Sequence, residues 1–290
     1  MTTAIEGTDL QHRYAYVNGI RMHYVEAGAG ELVVFLHGFP EFWYSWRHQI
    51  RALATHCRVI APDLRGYNET EKAGPYDIET LQEDVIALIR HAGEESAHIV
   101  GHDWGGAVAW MLAIQHPERV RSLVVCNLPH PEVFRRAVRR PRQLLRSWYM
   151  GFFQLPWLPE RTLAAGRYHR LARKMIRECR AGTFTREDVQ AYLEAWRRQG
   201  LSGGINWYRA LARSRPQLPN PVPLVVAPTT LIWGDNDAYL GKELTEGTER
   251  HVADLTVHHL PGISHWVQQE APAEVNTYLL QHLERVRALV

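Results

Sequence analysis

Five residues, Gly101-His102-Asp103-Trp104-Gly105, carry the densest chemical information in the chain. Ala97-His98-Ile99-Val100 precedes them as an apolar, strand-like run, and Gly106 to Ala113 follows with helical spacing and no proline. Strand, Gly-x-nucleophile-x-Gly, helix is the pattern of a nucleophile elbow, in which glycines permit a tight turn that exposes one side chain. The usual occupant is serine; here it is Asp103. Serine attacking saturated carbon would leave an ether that water does not cleave. A carboxylate leaves an ester, which a hydroxide equivalent can hydrolyse. With an ordinary pKa of about 3.9 the aspartate is already ionised, so the first step needs no base. The plainer alternative, an Asp-Gly surface turn, rests on composition alone.

The second step does need a base. His265 lies in Leu260-Pro261-Gly262-Ile263-Ser264-His265-Trp266, a loop after a strand and before the last helix, which suits the chain order nucleophile, acid, histidine. The acid should follow the penultimate strand, where Gly234-Asp235-Asn236-Asp237 offers two candidates. Asp237 is preferred because it lies further into the loop, leaving Asp235 as a turn residue; its task is to fix the imidazole tautomer and stabilise the imidazolium. Gly38 lets the backbone after an early strand come close. The N–H groups of Phe39 and Trp104 are then the oxyanion-hole donors for attack on an ester at Asp103. No Gly-x-Ser-x-Gly occurs, which argues against a serine esterase.

These residues need a scaffold that brings strand ends together. Arg13–Val17 and Ile20–Glu26 flank Asn18-Gly19 as a hairpin. Leu32–Leu36, Arg58–Ala61, Ala97–Val100 and Leu123–Cys126 read as buried strands, with helices over Trp46–Ala54 and Leu81–His91 between them. That alternation predicts an α/β fold: a mostly parallel central sheet with helices on both faces. The rhythm stops at about Pro129 and resumes at Thr230–Trp233, followed by a strand over Leu255–Leu260 and a closing helix over Pro272–Leu289. The expected organisation is a core of residues 1–128 and 224–290, interrupted by a helical cap over residues 129–223 above the strand ends.

At 290 residues and 46% hydrophobic, the chain can bury a sizeable core. Residues 1–9 lack the basic start and apolar stretch of a signal peptide, and no apolar run is long enough to span a membrane. Three widely spaced cysteines, Cys57, Cys126 and Cys179, form no metal pattern and read as reduced thiols, so a cytoplasmic location is expected. The net charge of +2 hides an asymmetry: Pro131–Pro221 holds 19 Lys and Arg against 6 Asp and Glu, a net of +13. These basic residues are interleaved with apolar ones. That pattern suits solvated helix faces better than a nucleic-acid tail, with an anionic partner or membrane surface as the other reading.

His37-Gly38-Phe39-Pro40-Glu41-Phe42-Trp43-Tyr44-Ser45-Trp46-Arg47 resembles the early motif of epoxide hydrolases of the α/β-hydrolase fold. So do Asp63-Leu64-Arg65-Gly66-Tyr67, the elbow itself and Asn127-Leu128-Pro129-His130-Pro131, with Asn68 standing where many relatives have glycine. The resemblance runs from about residue 13 to the C-terminus. It implies the α/β-hydrolase fold, a small apolar epoxide and water as substrates, and no cofactor or metal, with a homodimer left open. It also implies two cap tyrosines that hold and protonate the epoxide oxygen. Tyr149 is the one in Trp148-Tyr149-Met150-Gly151-Phe152-Phe153-Gln154-Leu155-Pro156, and Tyr208 the one in Asn206-Trp207-Tyr208-Arg209. Taken alone, both read as packing aromatics. Two rivals share the scaffold. A haloalkane dehalogenase usually has asparagine at the position of Phe39, and the similar haloacid type has arginine at that of Trp104. A non-catalytic binding protein would lose part of the catalytic set.

Overall fold

The computed structural model describes residues 7–214 and 218–289. Eight strands form one sheet in the order β1-β2-β4-β3-β5-β6-β7-β8. They are β1 (Gln11–Val17), β2 (Ile20–Ala27), β3 (Leu32–Leu36), β4 (Arg58–Pro62), β5 (Ala97–His102), β6 (Val120–Cys126), β7 (Thr229–Gly234) and β8 (Leu255–Leu260). The β1/β2 and β2/β4 pairs are antiparallel, and β4-β3-β5-β6-β7-β8 run parallel. Burial explains the centre and the edges. Every residue of β3 and β5 is buried, as strands covered on both faces require, whereas β1 and β8 alternate at the rims.

The chain leaves β3 for β4 on one side and returns through β5 on the other. The crevice between the carboxyl ends of β3 and β5 is therefore the topological switch point, where sheets of this kind bind ligands. The helices of this layer are α1 (Arg47–Leu53), α2 (Ile78–His91) and α3 (Trp104–Gln115). In α3, ten of twelve residues are buried, so the helix is apolar all round; it packs on β3, β5 and β6. The helix expected over Trp46–Ala54 begins instead as a 3-10 turn at Trp43–Trp46, and α1 starts at Arg47. The Trp43 N–H donates to the Asp63 carboxylate at 3.1 Å, which ties this turn to the loop after β4.

Between β6 and β7 lie seven helices and no strand among the described residues: α4 (Pro131–Ala137), α5 (Pro141–Arg146), α6 (Trp148–Phe152), α7 (Leu158–Ala164), α8 (His169–Glu178), α9 (Arg186–Gln199) and α10 (Ser202–Arg213). Thr185 and Asp188 close a capping box at the start of α9. Buried polar contacts fasten this insertion to the sheet layer. Trp196 Nε1 donates to the Pro40 carbonyl at 2.6 Å, Trp207 Nε1 to the Arg65 carbonyl at 3.0 Å, and Arg47 pairs with Asp188 at 2.8 Å. After β8 come a short helix, α11 (Val267–Glu270), and the closing helix α12 (Pro272–Arg287).

Candidate active site

The turn after β5 holds Asp103 at φ 49°, ψ −120°, a conformation that costs an L-residue on the order of 1–3 kcal/mol and persists only under surrounding constraint. Two glycines provide the room. A methyl group at Gly105 would lie 2.1 Å from the Leu36 carbonyl oxygen, and one at Gly38 would lie 2.5 Å from Asp103 Cβ. The end of β3 can therefore press against the elbow, and the Phe39 N–H donates to Asp103 Oδ1 at 2.9 Å. Asp103 Oδ2 lies 3.6 Å from His265 Nε2. One carboxylate oxygen is thus held by a backbone donor while the other faces the imidazole. Trp104 opens α3, and a first-turn N–H of a helix has no acceptor within the helix.

His265 follows β8 and is buried. Its Nδ1 lies 2.6 Å from Asp237 Oδ2, in the loop after β7. Asp237 is held in turn by the backbone N–H groups of Tyr239 and Leu240 on Oδ1, at 2.7 and 2.9 Å, and by Asn127 Nδ2 on Oδ2 at 2.7 Å. Asp235 contacts His259 instead, at 2.7 Å on the edge of the sheet. Burial opposes charge on the His265 ring, but Asp237 and Asp103 outweigh it and push the imidazole up to about 10. Burial likewise opposes charge on Asp103, yet His265, His102 and the Phe39 N–H hold it below the usual carboxylate value.

Tyr149 on α6 and Tyr208 on α10 line one cavity of about 260 Å³ together with Asp103 and His265. Their ring centroids lie 5.9 Å apart, and Tyr208 packs edge-on against Trp104 at 5.0 Å. Burial, reinforced by the charge of Asp103, raises both phenols, so they stay protonated across the working pH range. Each phenol therefore keeps a proton to give. The rest of the wall is mostly apolar, with Trp148, Phe152, Phe153, Leu163 and Met175. A second cavity, about 290 Å³, lies between β1 and α9, lined by His12, Trp43, Glu69 and Arg198; it contains none of these groups.

Two supporting pairs escaped the reading of the sequence. His102, the variable residue inside the elbow, places Nδ1 2.8 Å from the buried Glu41 carboxylate and Nε2 2.9 Å from the His265 carbonyl oxygen. Glu41 lies in the His37–Arg47 segment and His102 in the elbow, so their types were visible, but a contact across 61 positions leaves no local signature. Tyr239 packs edge-on against both His265, at 5.3 Å, and Tyr149, at 5.6 Å, while its hydroxyl donates to Glu178 at 2.8 Å.

Known proteins place this arrangement in a family. Residues 31–272 match the family described as alpha/beta hydrolase fold. The chain is 42% identical to the AB hydrolase superfamily protein YfhM of Bacillus subtilis (strain 168), across 94% of this chain and 97% of that one. It is 40% identical to Epoxide hydrolase 4 of Homo sapiens, across 92% of this chain and 76% of that one. Among solved structures it superposes on an inhibitor complex of Bacillus megaterium epoxide hydrolase with a TM-score of 0.89 and 34% identity, covering 94% of this chain and all of that one. Epoxide hydrolase VrEH1 from Vigna radiata gives a TM-score of 0.82 at 31% identity, covering 96% and 98%. The chain belongs to the alpha/beta hydrolase fold family, among its epoxide hydrolases.

Proposed function

We propose that the protein converts an apolar epoxide and water to a vicinal diol through a covalent ester on Asp103. The observation that carries this reading is the pair of phenols, Tyr149 and Tyr208, lining one cavity with Asp103 and His265. An epoxide leaves as an alkoxide and needs a proton donor, which Tyr208 and Tyr149 provide. A halide would need only weak N–H donors and no proton. Residues 129–223 act as a cap carrying both phenols, over a core of residues 1–128 and 224–290.

Asp103 Oδ2 attacks a ring carbon while the tyrosines donate to the ring oxygen, so the C–O bond breaks as the ester bond forms. Oδ1, already bonded to the Phe39 N–H, becomes the ester carbonyl oxygen. The imidazolium proton of His265 restores the phenol, which leaves a neutral imidazole. That imidazole, held by Asp237, takes a proton from water, and the resulting hydroxide adds to the Asp103 carboxyl carbon. The Phe39 and Trp104 N–H groups stabilise the oxyanion on Oδ1. Collapse breaks the bond from the Asp103 carboxyl carbon to Oδ2, and the diol leaves with Oδ2 after taking a proton from the new carboxyl group; the water oxygen stays in the Asp103 carboxylate and His265 ends as the imidazolium it began as.

The test is trapping. His265→Gln incubated with an aryl epoxide should gain the mass of one epoxide, on the peptide containing Asp103. An adduct formed with a haloalkane and with no epoxide would instead assign the site to dehalogenation.

A further inference from the structure

Helix α5 is built inside out. Its buried side chain is polar: Gln143 donates to the Tyr239 carbonyl at 2.8 Å and to Ser147 Oγ at 3.0 Å. Its apolar residues face solvent, with Leu144 62% and Leu145 74% exposed, and Trp148, just beyond it, 66% exposed. Isolated exposed leucines need no explanation, but three large apolar groups within five positions on a helix fastened by its polar side do. Basic residues surround them. Arg136, Arg139 and Arg140 are exposed with no carboxylate at ion-pair distance among the described residues. Arg142 and Arg146 share a single carboxylate, Glu243, at 3.9 Å from each.

We propose that the α4–α6 face docks on an anionic lipid surface. Leucine and tryptophan beside arginine is the combination that settles at a bilayer interface: apolar groups enter the acyl boundary, the indole sits at headgroup level and guanidinium groups meet lipid phosphates. Charge argues against a second copy as occupant. A two-fold contact would lay this patch on itself, arginine against arginine. No described helix is long and apolar enough to cross a membrane, so contact is at the surface. Trp148 also lines the cavity that holds Asp103. The docking face therefore adjoins the pocket, and an epoxide dissolved in lipid has a short path to it; this last step rests on the proposed function, the docking itself does not.

Flotation of the purified protein with vesicles tests the docking without substrate. Vesicles of phosphatidylglycerol mixed with phosphatidylcholine should carry the protein at low salt, pure phosphatidylcholine should not, and high salt should release it. Leu144→Ser/Leu145→Ser and Arg139→Glu/Arg140→Glu should each bind about tenfold more weakly or worse, with the circular dichroism and the turnover of a water-soluble epoxide unchanged. No flotation of the wild type at low salt would overturn the proposal, as would flotation that neither variant weakens. So would concentration-dependent self-association that the leucine variant abolishes while vesicles bind nothing.

Discussion

On the proposed mechanism Asp103 and His265 alter one another during turnover, and that coupling dictates the pH behaviour of each half-reaction. In the free protein the charges of Asp237 and Asp103 hold the His265 ring up to about 10. Alkylation would convert Asp103 to a neutral ester and remove one of those two charges, so the imidazole would release its proton more readily in the intermediate. Rapid-quench mass measurements should therefore show ester hydrolysis rising with pH through an inflection below that of the free enzyme. Alkylation should be flat through neutrality and fail only as the pH drops below the ordinary aspartate value of 3.8, because Asp103 is held lower still. Identical inflections in the two half-reactions would contradict the coupling. On that mechanism the tyrosines act on alkylation alone. Tyr149→Phe or Tyr208→Phe should each slow it on the order of 10²-fold, and the double variant on the order of 10⁴-fold, with ester hydrolysis preserved. Wild-type alkylation in the double variant would return both residues to the role of packing aromatics.

At the scale of elements, the site is a set of strand ends, and the β3–elbow contact is its tightest joint. Helix propensity alone says that Gly→Ala inside a helix should help by about 1 kcal/mol. At Gly105 the new methyl would lie 2.1 Å from the Leu36 carbonyl, so β3 and the elbow must separate, and the Phe39 N–H moves away from Asp103. Gly105→Ala should therefore lower the melting temperature and remove most activity. Gly151→Ala in α6, where the methyl meets nothing within 4 Å, should raise stability by about 0.5–1 kcal/mol. Equal effects in the two thermal melts would refute the steric argument. Strand ends are also why so much of the candidate site was legible. Asp103, Asp237 and His265 each sit where an apolar run stops, and the depth of Asp237 in its loop separates it from Asp235, which turns to the sheet edge. The Glu41–His102 and Glu178–Tyr239 contacts were not legible, because they join elements far apart in the chain and neither partner alters the local periodicity. Nor was the inverted α5, since a helix with its leucines outward has the same spacing as one with its leucines inward.

Across the whole molecule, histidines outside the site are expected to set the acid limit of the fold. His130 and His282 are buried and held down to about 3, and His48 to about 4, mainly by desolvation of the charged ring. Their contacts fit neutral rings. His130 Nδ1 accepts the Glu132 N–H at 3.2 Å, capping α4, and its ring stacks on His251 at 4.6 Å, where two charges would repel. Once unfolded, each returns to the ordinary value of 6.5. Below pH 6.5 the unfolded chain therefore binds more protons than the folded one, and stability falls as pH drops toward each folded value. Each group adds a slope approaching about 1.4 kcal/mol per pH unit. His265 works in the opposite sense: its folded value is raised, so its contribution is complete below 6.5 and is lost as pH rises toward about 10. The two effects meet near pH 6.5, and stability from urea titrations should peak there. The fall on the acid side should begin well above the range where carboxylates titrate. His282→Gln, which keeps a polar partner for Thr230 at the same place, should flatten the acid limb by one group, and His265→Gln should flatten the alkaline limb only. A stability maximum below pH 5, or an acid limb that His282→Gln leaves unchanged, would mean that carboxylates rather than buried imidazoles limit the fold.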